Sequence, residues 1–127
     1  MSTTAFINRQ EYRDHAGCHG GVGPFRALDF VLPAGEKQFI KFIHDDIIPP
    51  GSTFGYHQHA SDQPMEEWYI CLSGRGVMTL DGIDHAMAPG DSCVCRANGS
   101  HGLRNTGDEA MRIIVVFASP IQAGVSV

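Results

Sequence analysis

The sequence predicts an all-β domain, a small antiparallel sandwich or barrel with little helix. Three observations carry this. The 127 residues are one domain's length, with 43% apolar and 18% charged residues, which is the ordinary range of a globular core. Fifteen glycines and seven prolines are spread along the chain and leave no room for a helix bundle. The apolar runs between them are short and mostly β-branched or aromatic.

Taken in order, the polar stretch 1–16 is the one segment suited to a helical turn. From Phe25 onward about eight strands follow: Phe25–Val31, Lys37–Ile48, Ser52–His59, Glu67–Leu72, Gly76–Leu80, Ser92–Arg96, His101–Asn105 and Ala110–Ala118. Leu32-Pro33-Ala34-Gly35, Pro49-Pro50-Gly51, Ser73-Gly74, Asp81-Gly82, Pro89-Gly90-Asp91 and Thr106-Gly107-Asp108 supply turn chemistry between them. The expected organisation is an N-terminal arm over 1–24, a barrel over 25–120 and a tail over 121–127.

Charge narrows the function classes. A net charge of -5 with nine scattered Lys and Arg offers no footprint for a phosphate backbone, so no nucleic-acid partner is expected. No run approaches the ~18 apolar residues of a membrane span, and residues 1–10 lack a signal-peptide layout, so no membrane partner is expected and the protein reads as cytoplasmic. Of the four cysteines Cys18, Cys71, Cys93 and Cys95, the pair at 93 and 95 alternates along a strand and is badly placed for a disulfide. All four read as reduced thiols.

A two-residue loop at Ser73-Gly74 predicts a hairpin with Tyr69 opposite Met78 and Glu67 opposite Leu80. Alternation then puts Glu67, Tyr69, Cys71, Gly76, Met78 and Leu80 on one face. A glutamate among apolar neighbours must be paired, hydrogen-bonded or bound to a metal. Upstream, His57-Gln58-His59 places two imidazoles on one side of a strand, where they can hold a single cation with a carboxylate and a third imidazole from neighbouring strands. Glu67 and His101 are the candidates.

These residues resemble the cupin superfamily. Its first motif is Gly, five residues, His-x-His, three or four residues, Glu, six residues, Gly; Gly51, His57, His59, Glu67 and Gly74 match it. Gly90, His101 and Asn105 fall at the spacing of the second motif. The tract Glu67 to Gly76 is similar to small stand-alone bacterial cupins. Two departures stand out: seven residues separate His59 from Glu67, and Arg96 and Asn98 replace the Pro and Gly of the second motif. Counting back from Gly74 selects Glu67, with Glu66 as the alternative, and Asp62-Gln63-Pro64 reads as a loop that absorbs the extra residues.

The resemblance implies a double-stranded β-helix, or jelly-roll barrel. It implies that His57, His59, Glu67 and His101 bind one divalent metal (Mn, Fe, Ni, Co, Cu or Zn), with coordination positions left for water or ligand. Tyr69 is the candidate catalytic residue, able to donate a hydrogen bond or a proton. Thr53, Tyr69, Met78, Leu103 and Asn105 are the candidate substrate-pocket residues, Asn105 either orienting His101 or tying down the following turn. His15, Cys18 and His19 precede a glycine-rich segment and do not read as a second metal site; His44 and His85 read as exposed or strand-edge residues.

The functional expectation is a metal-dependent enzyme, oxygenase or isomerase/lyase, acting on a small polar molecule that chelates the metal through oxygen. The alternative is a cupin that binds or senses a small ligand, a sugar or organic acid, without turnover. A homodimer is expected, because the sheet edges of a small jelly roll need cover.

Overall fold

The computed structural model describes residues 3–30, 32–33 and 35–120. Val31 and Ala34, at one predicted strand end and in one predicted turn, and the predicted tail 121–127 lie outside the described residues.

Among the described residues, ten strands form two antiparallel sheets. They are β1 (Arg13–Ala16), β2 (Pro24–Asp29), β3 (Ile40–Ile48), β4 (Thr53–Gln58), β5 (Glu66–Ser73), β6 (Gly76–Leu80), β7 (Ile83–Met87), β8 (Ser92–Arg96), β9 (Ser100–Arg104) and β10 (Met111–Ala118). A 3-10 turn spans Cys18–Gly20. The six-stranded sheet runs β1-β2-β3-β10-β5-β8 and the four-stranded sheet runs β4-β9-β6-β7. This is the expected all-β jelly roll, and no described helix is long and apolar enough to cross a membrane.

Two strands were not foreseen. β7 reads Ile-Asp-His-Ala-Met with only Met87 buried, and β1 reads Arg-Asp-His-Ala with nothing buried. Neither carries an apolar face. Each is extended because a neighbour supplies its ladder, Leu80 pairing with Ile83 across Asp81-Gly82 and Ala16 pairing with Pro24. The helical turn expected within 1–16 falls later, at Cys18–Gly20. Since β1 pairs with β2, residues 13–24 are continuous with the six-stranded sheet.

The predicted β5–β6 hairpin does not form. β5 pairs with β10 and β8, whereas β6 pairs with β7 and β9. Ser73-Gly74-Arg75 instead carries the chain from one sheet to the other, with Gly74 at φ 78, a left-handed conformation that suits glycine. The faces were nevertheless assigned correctly for Glu67, Tyr69, Cys71, Gly76 and Met78, all of which are buried. Alternation is a property of each strand and does not depend on its partner.

Between the sheets, Ile48, Phe54, Tyr69, Cys71, Met78, Met87, Leu103, Met111, Ile113 and Val115 form one buried cluster. Burial of each large aliphatic side chain contributes about 1.5–3 kcal/mol. Asp45 and Asp46 on β3 are both buried but face opposite ways. Asp45 faces outward beneath Arg112 and Tyr12, which donate to it at 2.7 and 2.8 Å. Asp46 pairs in register with Ile113 and Ala27 and faces the interior.

Candidate metal centre

β4, β5 and β9 bring the predicted residues together at one end of the barrel. β4 pairs with β9, setting His57 beside His101, and β5 faces them from the opposite sheet. A register shift between Phe54 and His57 breaks the alternation of β4. Both Phe54 and His57 consequently turn inward while Tyr56 is exposed. Uninterrupted alternation would put Phe54 on the face away from His57, and it fails here at a bulge.

The ligand atoms of His57, His59 and His101 all lie within 4.8 Å of one another. His59 Nε2 is 3.2 Å from His57 Nε2 and 2.9 Å from His101 Nε2. Glu67 Oε1 lies 3.2 Å from His59 Nε2 and 3.1 Å from His101 Nε2. Donors about 2.1 Å from one cation, at the angles of tetrahedral or octahedral coordination, sit roughly 3.0–3.4 Å apart. The spacing and the mixed nitrogen and carboxylate donor set therefore fit a divalent metal.

Each donor is oriented by its surroundings. His57 Nδ1 lies 2.8 Å from the Gly55 carbonyl oxygen. A carbonyl only accepts, so Nδ1 carries the proton and Nε2 presents its lone pair to the cluster. Burial alone would raise the Glu67 carboxyl, but its hydrogen bond with His101 and the nearby His59 and His19 hold it below the ordinary carboxylate value. Burial pushes the His59 imidazole down, against the pull of Glu67. Both shifts favour the forms that bind metal, carboxylate and neutral imidazole. Glu66, the alternative, points outward and accepts hydrogen bonds from Trp68 and Arg96, each at 3.1 Å.

The remaining predicted residues divide. Tyr69 is buried, its ring edge-on to His101 at 5.2 Å, and burial together with Glu67 and Asp46 raises its phenol well above the ordinary value. It is a protonated donor at neutral pH. Met78 and Leu103 pack in the core. Asn105 ties down its turn: its Nδ2 donates to the Ile48 and Glu109 carbonyls, both at 2.8 Å, and its Oδ1 accepts from the Gly107 amide. Thr53 accepts from the Val22 amide at 2.8 Å, so its hydroxyl serves the N-terminal segment.

That segment supplies a residue the sequence did not reveal. The His19 ring stacks on that of His57, and His19 holds φ 51 inside the 3-10 turn. Gly21 and Gly55 permit the approach, since a Cβ at Gly55 would collide with the His19 carbonyl and one at Gly21 with the Thr53 carbonyl. Only long-range docking creates this contact. His44, expected to be exposed or at a strand edge, lies instead on the interior strand β3: it is partly buried, stacks on Phe42 at 4.3 Å and pairs with Asp29 at 2.9 Å. The alternation of His44 and Asp46 with Ile48 was the signal that could have found it. All four cysteines are free, and burial pushes the Cys18 and Cys93 thiols up to about 11.

A cleft of about 820 Å³ opens beside His59, lined by His59, residues 60–65, Phe117, Ser119 and Pro120. The extra residues between His59 and Glu67 thus form one of its walls.

The fold and this candidate site define a cupin domain. The cupin domain model matches residues 44–117, and the chain belongs to that family. It is 36% identical over 70 residues to an oxalate-binding protein of Thermotoga maritima, covering 55% of each chain. It is 31% identical over 70 residues to the dimethylsulfoniopropionate lyase DddW of Ruegeria pomeroyi, covering 55% of this chain and 43% of that one. The matched stretch thus spans about half the length of these curated relatives. A predicted oxalate decarboxylase from Thermotoga maritima shares the fold at a TM-score of 0.81, covering 91% of this chain and 99% of that one at 23% identity. KdgF from Halomonas sp. does so at 0.71, covering 97% and 100% at 14% identity.

Proposed function

We propose that His57, His59, Glu67 and His101 hold one divalent metal ion, and that its remaining positions take oxygen atoms of a small polar organic molecule. The convergence of three imidazole nitrogens and the Glu67 carboxylate, with neighbouring donors 2.9–3.2 Å apart, carries this reading. A metal bound there would supply Lewis-acid polarisation or oxygen activation. The protein's own residues do the rest. Gly55 and His19 fix the plane of His57, Tyr69 stands ready as a neutral hydrogen-bond or proton donor beside His101, and the 60–65 segment shapes the cleft beside His59.

We read the protein as an enzyme of oxygenase or isomerase/lyase type. The likeness to an oxalate-binding protein favours a second reading, in which the same site binds a small acid without turnover. Elemental analysis of untagged protein tests the site, with about one metal ion per chain expected. Oxygen uptake by the metal-loaded protein, and turnover assays on each small acid that raises its melting temperature, separate the two readings. Absence of metal from protein loaded and then desalted would overturn both. A homodimer completes the proposal, with Phe39, Tyr56 and Ile83 among the exposed apolar side chains available to an interface. Size-exclusion chromatography with light scattering checks it.

A further inference from the structure

One interior carboxyl has no part in the metal cluster. Asp46 is 3% exposed, and its Oδ1 lacks a hydrogen-bond partner. Its place on β3, between His44 and Ile48 and in register with Ile113 and Ala27, aims it into the barrel. Across β10, the Asp46–Ile113–Cys71 row lies next to the inward-facing His44–Val115–Tyr69 row, and the Tyr69 ring reaches to 5.2 Å from His101. No lysine or arginine is buried among the described residues, so no side-chain cation compensates Asp46. A buried acceptor without a donor is costly, and a bound molecule can provide the missing donor.

We propose that Asp46 is a specificity-determining residue that accepts a hydrogen bond from the hydroxyl of a small hydroxycarboxylate, while the ligand's carboxylate lies at the histidine cluster. This rests on the metal-centre reading above. The interior charge selects the class. The second carboxylate of a dicarboxylic acid would meet Asp46 as a like charge, whereas a hydroxyl meets an acceptor that lacks a donor. A bare dicarboxylate is accordingly the poorer ligand for this chain.

The test uses metal-loaded full-length protein and calorimetry at pH 8.5, above the value of about 7 to which burial and the neighbouring Asp29, Asp45 and Glu67 push the Asp46 carboxyl. Three matched pairs of probes are compared: glycolate with oxalate, 3-hydroxypropanoate with malonate, and 4-hydroxybutanoate with succinate. Within each pair only one end changes, from CH2OH to a carboxylate. At one chain length or more, the hydroxy acid should bind at least about tenfold tighter than its partner, equivalent to about 1.4 kcal/mol. Asp46→Ala should bring that ratio to within about threefold of unity, and Asp46→Asn should lower it at least about fivefold, with bound metal unchanged in both. Asn is close in size to Asp and carries no charge, so it decides the matter if the alanine variant does not fold. Equal or tighter binding of the dicarboxylate at all three lengths, an unchanged ratio in the variants, or no binding of any probe to metal-loaded protein would overturn the assignment. Failure of the metal-centre reading shows separately and earlier, as wild-type protein that holds no metal before any probe is added, and the Asp46 assignment then falls with it.

Discussion

The imidazole of His19 lies 3.7 Å from that of His57, centroid to centroid, with the two planes inclined by 18°. His57 is thereby held on two sides, by this stack and by its Nδ1 hydrogen bond to the Gly55 carbonyl. The N-terminal segment is built into the wall of the candidate metal centre. Thr53 and Val22 lock it in place, Thr53 N donating to the Val22 carbonyl and Val22 N to the Thr53 hydroxyl, both at 2.8 Å.

Removing the stacked ring should loosen the ligand without removing it. His19→Ala is expected to weaken metal binding about tenfold, at the lower end of what lost outer contacts of a metal ligand cost. His19→Phe, which keeps a flat ring, should restore most of it. Competition with a chromophoric chelator measures both, and an affinity unchanged in His19→Ala would separate the segment from the metal centre.

The ligands themselves make a stronger demand. His57→Ala and His101→Ala should each reduce bound metal to about a tenth of the wild-type content or less after desalting, because the imidazole nitrogen is lost outright. His85→Ala, on the exposed face of β7, serves as the control and should keep full occupancy. Elemental analysis reads all three.

Gly55 tests the packing of the segment. In Gly55→Ala the new methyl would meet the His19 carbonyl, a backbone atom that cannot turn aside. A cost of about 1–3 kcal/mol is expected, seen as a melting temperature lower by roughly 5–15 °C. The 13–22 segment should also become cleavable by protease. Wild-type stability in this variant would mean that the segment docks some other way.

Asp45 and Asp46 should give stability opposite dependences on pH, although they are neighbours in the chain. The hydrogen bonds from Arg112, with that from Tyr12 and against the effect of burial, hold Asp45 below its ordinary value of 3.8. Its contribution is present above that value and is lost as pH falls through the folded-state pKa. Burial, with Asp29, Asp45 and Glu67 nearby, raises Asp46 to about 7. Its contribution is present below 3.8 and declines as pH rises toward and through about 7. Asp46→Asn should flatten that decline and gain on the order of a few kcal/mol at pH 8. Asp45→Asn should flatten the acid limb. Urea unfolding of chelator-treated protein between pH 3 and pH 8 follows both.

Much of the fold, and the histidine cluster that forms the candidate site, was legible in particular residues. Glycine and proline marked the turns, and the run from Glu67 to Cys71 declared its buried face by period two. His-x-His at 57 and 59 identified a site because a strand presents both rings to one side. β1 and β7 were not legible, since nearly all their side chains are exposed and only a partner's ladder makes them strands. The bulge before His57, which turns Phe54 into the core, left no mark in composition. His19 was hidden for a related reason, because its stack depends on a glycine contact between positions 21 and 55.

The sequence by itself determined the class of fold, the inward faces of the strands and the candidate ligands, because turn chemistry and side-chain alternation are local consequences of covalent geometry. The tertiary structure decided which strands pair, as when β5 and β6 part into different sheets across Gly74. It also decided which residues surround the ligands. His19, His44 and Asp46 come from segments distant in the chain, and only packing the sheets together brings the stacked ring, the partly buried His44 and the unpaired carboxyl to the barrel interior. Contacts of that kind depend on three-dimensional closure, which no local pattern encodes.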